Sequence, residues 1–177
     1  MHQKTLYLLR HGTAANAGDY TEDRLRPLTP QGLADASRVG AYMRARHLMP
    51  SLVLCSPSLR TRQTVEAMME ALGFGLTVKN NDTLYLASPT TLLKILSEVP
   101  ETIDSVMVVA HNPGLHQLAL QLATRAEDGL GSALSARFPT AALAEITLPV
   151  AQWSQIGTQT GTLTRFAGPS GLEVVSA

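Results

Sequence analysis

Apolar residues in this chain gather alternately into short continuous runs and into helical stripes. The run Leu6 to Leu9, inside TLYLLRHG at residues 5–12, is flanked by the β-favouring Thr5 and predicts a buried strand. It stops abruptly on Arg10, His11 and Gly12, where glycine would let the chain turn through backbone conformations closed to other residues. Residues 13–28 are polar and aperiodic, so they read as a long loop. Thr29 and Pro30 then supply a capping hydroxyl and a proline at the first helical position. Leu33, Ala36, Val39 and Met43 give that helix an apolar face, and Pro50 closes it. Leu52 to Cys55 is a second strand, and Ser56-Pro57-Ser58 turns into a helix with Val65, Met68, Met69 and Leu72 inward and Gly73 at its end.

The alternation continues. Residues 76–79 predict a short strand, followed by a polar turn at Asn80, Asn81 and Asp82 and then Leu84-Tyr85-Leu86. Ser88-Pro89 opens a helix to about Val99, with Leu92, Leu93, Ile95 and Leu96 as its apolar side. Ser105 to Ala110 (SVMVVA) runs into His111-Asn112-Pro113-Gly114 and a helix from about Leu115 to Ala123. Gly129 to Ser132 reads as a flexible connection. The segments 142–148 and 161–166 read as β structure, added antiparallel at an edge. Strands alternating with helices imply an α/β fold: a three-layer arrangement with a mostly parallel sheet, helices on both faces and antiparallel edge strands from the C-terminal third.

Composition narrows the class of protein. The chain has 177 residues, suited to one domain spanning residues 1–177. Fourteen basic side chains balance fourteen acidic ones, so no overall field recruits nucleic acid or an anionic membrane, and any anion site must be local. The single cysteine, Cys55, has no intramolecular partner, in keeping with a reducing cytoplasm. The N-terminal apolar run is too short for a signal peptide, and no stretch is long enough to span a membrane.

Three predicted strands end in phosphate-friendly residues: Arg10-His11, then Ser56 with Arg60 one turn into the next helix, then His111-Asn112. In a parallel sheet these ends share one edge, where open α/β sheets bind ligands. Helices beginning after Ser58 and at Pro113 would add unpaired backbone N–H groups that favour an anion. Two arginines and two histidines in one crevice describe a phosphate pocket, with no acid among them to suggest a metal ligand set, so neither a metal nor a cofactor is expected.

These residues carry a likeness. With LLRHG at 8–12, RPLTPQG at 26–32, CSPSLRTRQT at 55–64, LY at 84–85, AHNPGL at 110–115 and FPTAALA at 138–144, the chain resembles the histidine phosphatase superfamily (phosphoglycerate mutase-like), and within it the small SixA-type phosphohistidine phosphatases. The resemblance implies that His11 is the nucleophile that becomes phosphorylated, while Arg10, Arg60 and His111 hold the phosphoryl oxygens. Ser56 and Asn112 are further candidates for substrate binding. The chemistry is compatible: a histidine nucleophile needs one unprotonated ring nitrogen, which neighbouring arginines favour, and phosphoryl transfer asks mainly for positioning and charge stabilisation.

Larger members of the superfamily carry an acid between the positions matched by Arg60 and His111. No acid stands in a clear motif in that interval here; Asp82 is the nearest candidate, and a turn-forming role suits it better. Without acid help an alkoxide leaves poorly, whereas imidazole leaves readily once protonated. The short interval also leaves little room for a lid. Both features favour a phosphorylated protein, such as a phosphohistidine carrier domain, as substrate. A phosphatase of small phosphate esters and a non-catalytic phosphate- or phosphopeptide-binding module remain as alternatives. Cys55 lacks the cysteine-to-arginine spacing of a cysteine-dependent phosphatase and reads as a buried strand residue.

Overall fold

A computed structural model describes residues 3–157 and 161–172. A seven-stranded sheet carries the fold: β1 (Lys4–Arg10), β2 (Leu52–Cys55), β3 (Val78–Asn80), β4 (Ser105–Ala110), β5 (Arg125–Ala126), β6 (Leu143–Leu148) and β7 (Thr162–Ala167), in the spatial order β3-β2-β4-β1-β6-β7-β5. The pairs β3–β2, β2–β4, β4–β1 and β7–β5 are parallel, while β6 is antiparallel to both of its neighbours, β1 and β7. The C-terminal third therefore builds one side of the sheet, beyond β1, with the two-residue β5 outermost.

The helices are α1 (Pro30–Ala45), α2 (Leu59–Leu72), α3 (Pro89–Ser97), α4 (Gly114–Leu122) and α5 (Leu130–Ala136). Side chains alternate across each strand, so β1 sends Leu6 and Leu8 into one core and Tyr7 and Leu9 into another. The first core is closed by Leu92, Leu96, Leu115, Leu118, Leu134 and Trp153, and the second by Val39, Met43, Val65, Met68 and Leu72. Each fully buried leucine contributes roughly 1.5–3 kcal/mol, and burial on both faces explains the unbroken apolar runs of β1 and β4.

Local signals placed most helix ends. The Thr29 hydroxyl accepts from the Gly32 amide at 3.0 Å, and Ser88 accepts from Thr91 at 3.2 Å. Gly73 adopts φ 85° and returns its N–H to Met69. Three expectations are corrected. The stretch expected to be a flexible connection, Gly129 to Ser132, opens α5, which tertiary packing of the buried Leu134 supports despite two glycines. The third strand sits at 78–80 rather than 76–79, because Val53, Leu54 and Cys55 register with Val78, Lys79 and Asn80. Helix α1 ends at Ala45, five residues before Pro50, in a left-handed turn at His47. Among the described residues no helix is long and apolar enough to cross a membrane.

Candidate active site

Because β1, β2 and β4 run parallel, their carboxyl ends fall on one edge of the sheet. Arg10 pairs in register with Ala110, and Cys55 with Val109, so the residues that follow each strand are neighbours. There a cavity of about 460 Å³ is lined by Arg10, His11, Thr13, Ala14, Asp23, Arg26, Arg60, Tyr85, Leu86, His111, Asn112 and Thr140. Five of the six residues singled out from the sequence meet in it.

His11 is held by its own backbone. Its Nδ1 donates to the Gly12 carbonyl at 2.7 Å, which leaves Nε2 as the ring's lone-pair nitrogen. The side chain is 8% exposed. Burial, followed by Arg60, Arg10 and Arg26, pushes its pKa down to about 4 against the opposing pull of the Gly12 carbonyl. The arginines expected to keep the imidazole neutral thus act second to desolvation. The glycine that follows is also needed for a different reason than a special dihedral. A Cβ on Gly12 would lie 2.6 Å from the Gly32 carbonyl oxygen, and one on Gly32 would lie 2.2 Å from that of Thr13. The pair of glycines lets the β1 exit press directly on the start of α1.

His111 stands 5.3 Å from His11, ring centre to ring centre. Burial first, then His11 and Arg60, hold its pKa at about 3. Its Nε2 is 2.7 Å from the Ser56 hydroxyl and its Nδ1 is 3.4 Å from Arg60 Nη2. A guanidinium can only donate, so in this arrangement Nδ1 accepts and Nε2 donates to Ser56. A hydroxyl serves equally as donor or acceptor, so Ser56 also supports the opposite tautomer. Ser56 itself is fully buried and does not line the cavity. It lies behind His111, joined to it by that hydrogen bond.

Arg10 donates through Nη1 to the Phe138 carbonyl at 3.0 Å, and Asn112 Nδ2 donates to the same oxygen at 2.9 Å. Thr13 and Thr140 share a hydrogen bond of 3.0 Å across the same wall. The FPT segment thereby ties β1, the turn after β4 and the cavity together. Arg60, 2% exposed, sits in the first turn of α2. Of the residues at the starts of α2 and α4, Arg60 lines the cavity, whereas Ser58 and Gly114 do not.

The loop 13–28 contributes an acid that the sequence did not single out. Asp23 lines the cavity and takes a donor from Arg60, another from Arg26 and a third from the Tyr85 hydroxyl. Those hydrogen bonds, Tyr85 foremost, hold its carboxyl down at about 2. Asp82 lies exposed in a turn at 82–84, away from the cavity, as a turn residue would. Cys55 is fully buried; desolvation pushes its thiol up to about 12, and it faces a separate cavity of about 200 Å³ with Val65, Met69 and Val78. Among the described residues no three His, Cys, Asp or Glu side chains are grouped to hold a metal ion.

Residues 6–85 match the model of the histidine phosphatase superfamily, branch 1. The chain is 32% identical to the protein assigned as phosphohistidine phosphatase SixA in Agrobacterium tumefaciens, with 94% of this chain and 98% of that one covered at a TM-score of 0.79. It is 25% identical to the protein histidine phosphatase SixA solved with tungstate, covering 96% and 99% of the two chains at a TM-score of 0.76. Phosphohistidine phosphatase SixA of Escherichia coli K12 shares 26% identity over 81% of this chain and 84% of its own length. Sequence motifs, sheet order and cavity agree, and the chain belongs to the histidine phosphatase superfamily, in its SixA-type branch, as a phosphate-releasing hydrolase.

Proposed function

We propose that this protein removes the phosphoryl group from phosphohistidine on a protein, in the cytoplasm, without a metal, through a phosphorylated His11. The observation that carries this reading is the hydrogen bond from His11 Nδ1 to the Gly12 carbonyl. It leaves Nε2 unprotonated on a ring that lines a cavity together with Arg10, Arg26 and Arg60. In the first step the Nε2–phosphorus bond forms as the substrate's nitrogen–phosphorus bond breaks, and the departing imidazole takes a proton from solvent. Water then attacks phosphorus, the Nε2–phosphorus bond breaks, and phosphate and free His11 remain. The guanidiniums and His111, through its Nδ1–H tautomer, would stabilise the equatorial oxygens.

The state of the acids supports the choice of substrate. Asp23, the carboxylate lining the cavity, accepts three side-chain donors and titrates near 2, so it has no proton to give a leaving alkoxide at neutral pH. An imidazole leaving group needs none from it. The mouth of the cavity supports a large substrate: Leu86 is 56% exposed on the lining, and Leu25, between Asp23 and Arg26, is 51% exposed. A small-ester phosphatase would have little use for that apolar rim.

The test compares release of phosphate from a phosphohistidine-bearing carrier protein and from p-nitrophenyl phosphate, with and without chelator. Preference for the protein substrate, insensitivity to chelator and total loss in His11→Ala are expected, together with an acid-labile phosphoryl group on the trapped wild-type enzyme. Faster turnover of the ester would make the protein a small-ester phosphatase, and binding without turnover of either would make it a binding module.

A further inference from the structure

Arg60, carried by α2, is the most completely buried charge in the site, and its guanidinium donates to the loop 13–28. Its Nη1 donates to the Asp23 backbone carbonyl at 2.7 Å and its Nη2 to Asp23 Oδ2 at 2.9 Å. A guanidinium presents two forks: an end-on pair formed by the two terminal nitrogens, and a side-on pair formed by Nε and Nη2. Asp23 occupies the end-on fork. On the other edge, Nη2 reaches His111 Nδ1 at 3.4 Å, and Nε has no partner.

The acid is itself held in place. Arg26 Nε donates to Oδ1 at 2.8 Å, and the Tyr85 hydroxyl donates to Oδ2, the oxygen that also receives Arg60. The Arg60 guanidinium lies 6.0 Å from the centre of the Tyr85 ring, and the edge of that ring meets His111 with centres 5.5 Å apart. Asp23, Tyr85, Arg60 and His111 therefore form one connected set drawn from four separate segments of the chain. A carboxylate beside a phosphoryl site costs affinity by repulsion, so its presence calls for a compensating gain.

We propose that Asp23 is a positioning residue: by filling the end-on fork of Arg60 it turns the Nε–Nη2 edge toward His111 and the phosphoryl group, with Tyr85 and Arg26 steadying the carboxylate. The inference rests on the cavity being a phosphate site, as argued above. It assigns to the loop 13–28 the task of choosing which edge of Arg60 meets the substrate. Lysine at position 60 would have no fork to orient, so the effect of Asp23 must vanish there.

The experiment is a double-mutant cycle read by calorimetric titration with tungstate, a tetrahedral oxyanion that needs no turnover. Loss of the charge-assisted Nη2–Oδ2 arm, with the Nη1 bond to the backbone carbonyl left in place, predicts that Asp23→Ala weakens tungstate binding about 10-fold, although it removes a negative charge from an anion site. Asp23→Asn keeps one accepting oxygen and loses less, and Tyr85→Phe loses a few-fold. In an Arg60→Lys background, Asp23→Ala changes the affinity less than about twofold. A merely supportive loop predicts additive losses in the two backgrounds, and simple charge relief predicts tighter binding in Asp23→Ala; either result overturns the proposal. Should Asp23→Ala fail to fold, Asp23→Asn in both backgrounds makes the same comparison. Wild-type protein that does not bind tungstate overturns the phosphate-site reading, and this inference with it. Wild-type binding that Asp23→Ala or Asp23→Asn leaves unchanged overturns this inference alone.

Discussion

At the scale of single residues, the buried imidazoles tie chemistry to stability. In an unfolded chain histidine titrates near 6.5, whereas burial holds His11 near 4 and His111 near 3 in the folded protein. Between those values the unfolded state binds more protons, so acid favours unfolding. The stability that His11 contributes is complete above about pH 6.5 and is lost as the pH falls toward 4, a loss of about 3 kcal/mol at roughly 1.4 kcal/mol per pH unit. The melting temperature should therefore fall between pH 7 and pH 4.5, and His11→Gln should flatten that slope. A wild-type melting temperature that holds steady across the range would contradict the buried, neutral imidazole. The positions of Arg10, His11, Arg60 and His111 were readable because each sits at a strand end or one turn beyond it. Asp23 was not, because a loop without periodicity gives no sign of which residue turns inward, and its partner Arg60 is 37 positions away in sequence.

Among the elements, the contact of α1 with α2 depends on the absence of a side chain. A Cβ on Gly40 would stand 2.0 Å from the Met68 carbonyl oxygen and 3.0 Å from the Ala71 Cβ. Gly40→Ala gains about 1 kcal/mol of helix propensity, but the obstacle is backbone and cannot rotate aside, and overpacking of this kind costs about 1–3 kcal/mol or more. The variant should melt several degrees below wild type, whereas a rise in melting temperature would mean that the helices separate at no cost. Capping is the milder counterpart: Thr29→Ala removes the acceptor for Gly32 and should cost about 1 kcal/mol in a denaturant titration. The caps of α1 and α3 were legible because they are written within four residues. Helix α5 was not, since its glycines argue against a helix and only the pocket that receives Leu134 argues for one.

For the whole molecule, the proposed protein substrate can be told from a small ester at the exposed leucines. Leu86 is exposed on the cavity lining, and Leu25 is exposed in the loop between the lining residues Asp23 and Arg26, so the pair Leu25→Ser and Leu86→Ser should raise KM for a phosphohistidine protein about 10-fold or more. Turnover of p-nitrophenyl phosphate should stay within about twofold of wild type. Equal losses on both substrates would place the two leucines in the service of the pocket and not of a docked partner. The sequence by itself determined the strand–helix alternation, the helix starts at Thr29 and Ser88 and the reactive residues at three strand ends, because each is set by periodicity or by hydrogen bonds to near neighbours. Tertiary structure alone decided that Ser56 would stand behind His111, that Asp23 would take hold of Arg60, and that Gly12 would be needed for its closeness to Gly32. Those contacts join residues from separate elements, and their geometry follows from how the sheet order and the two cores bring the elements together, which no local pattern encodes.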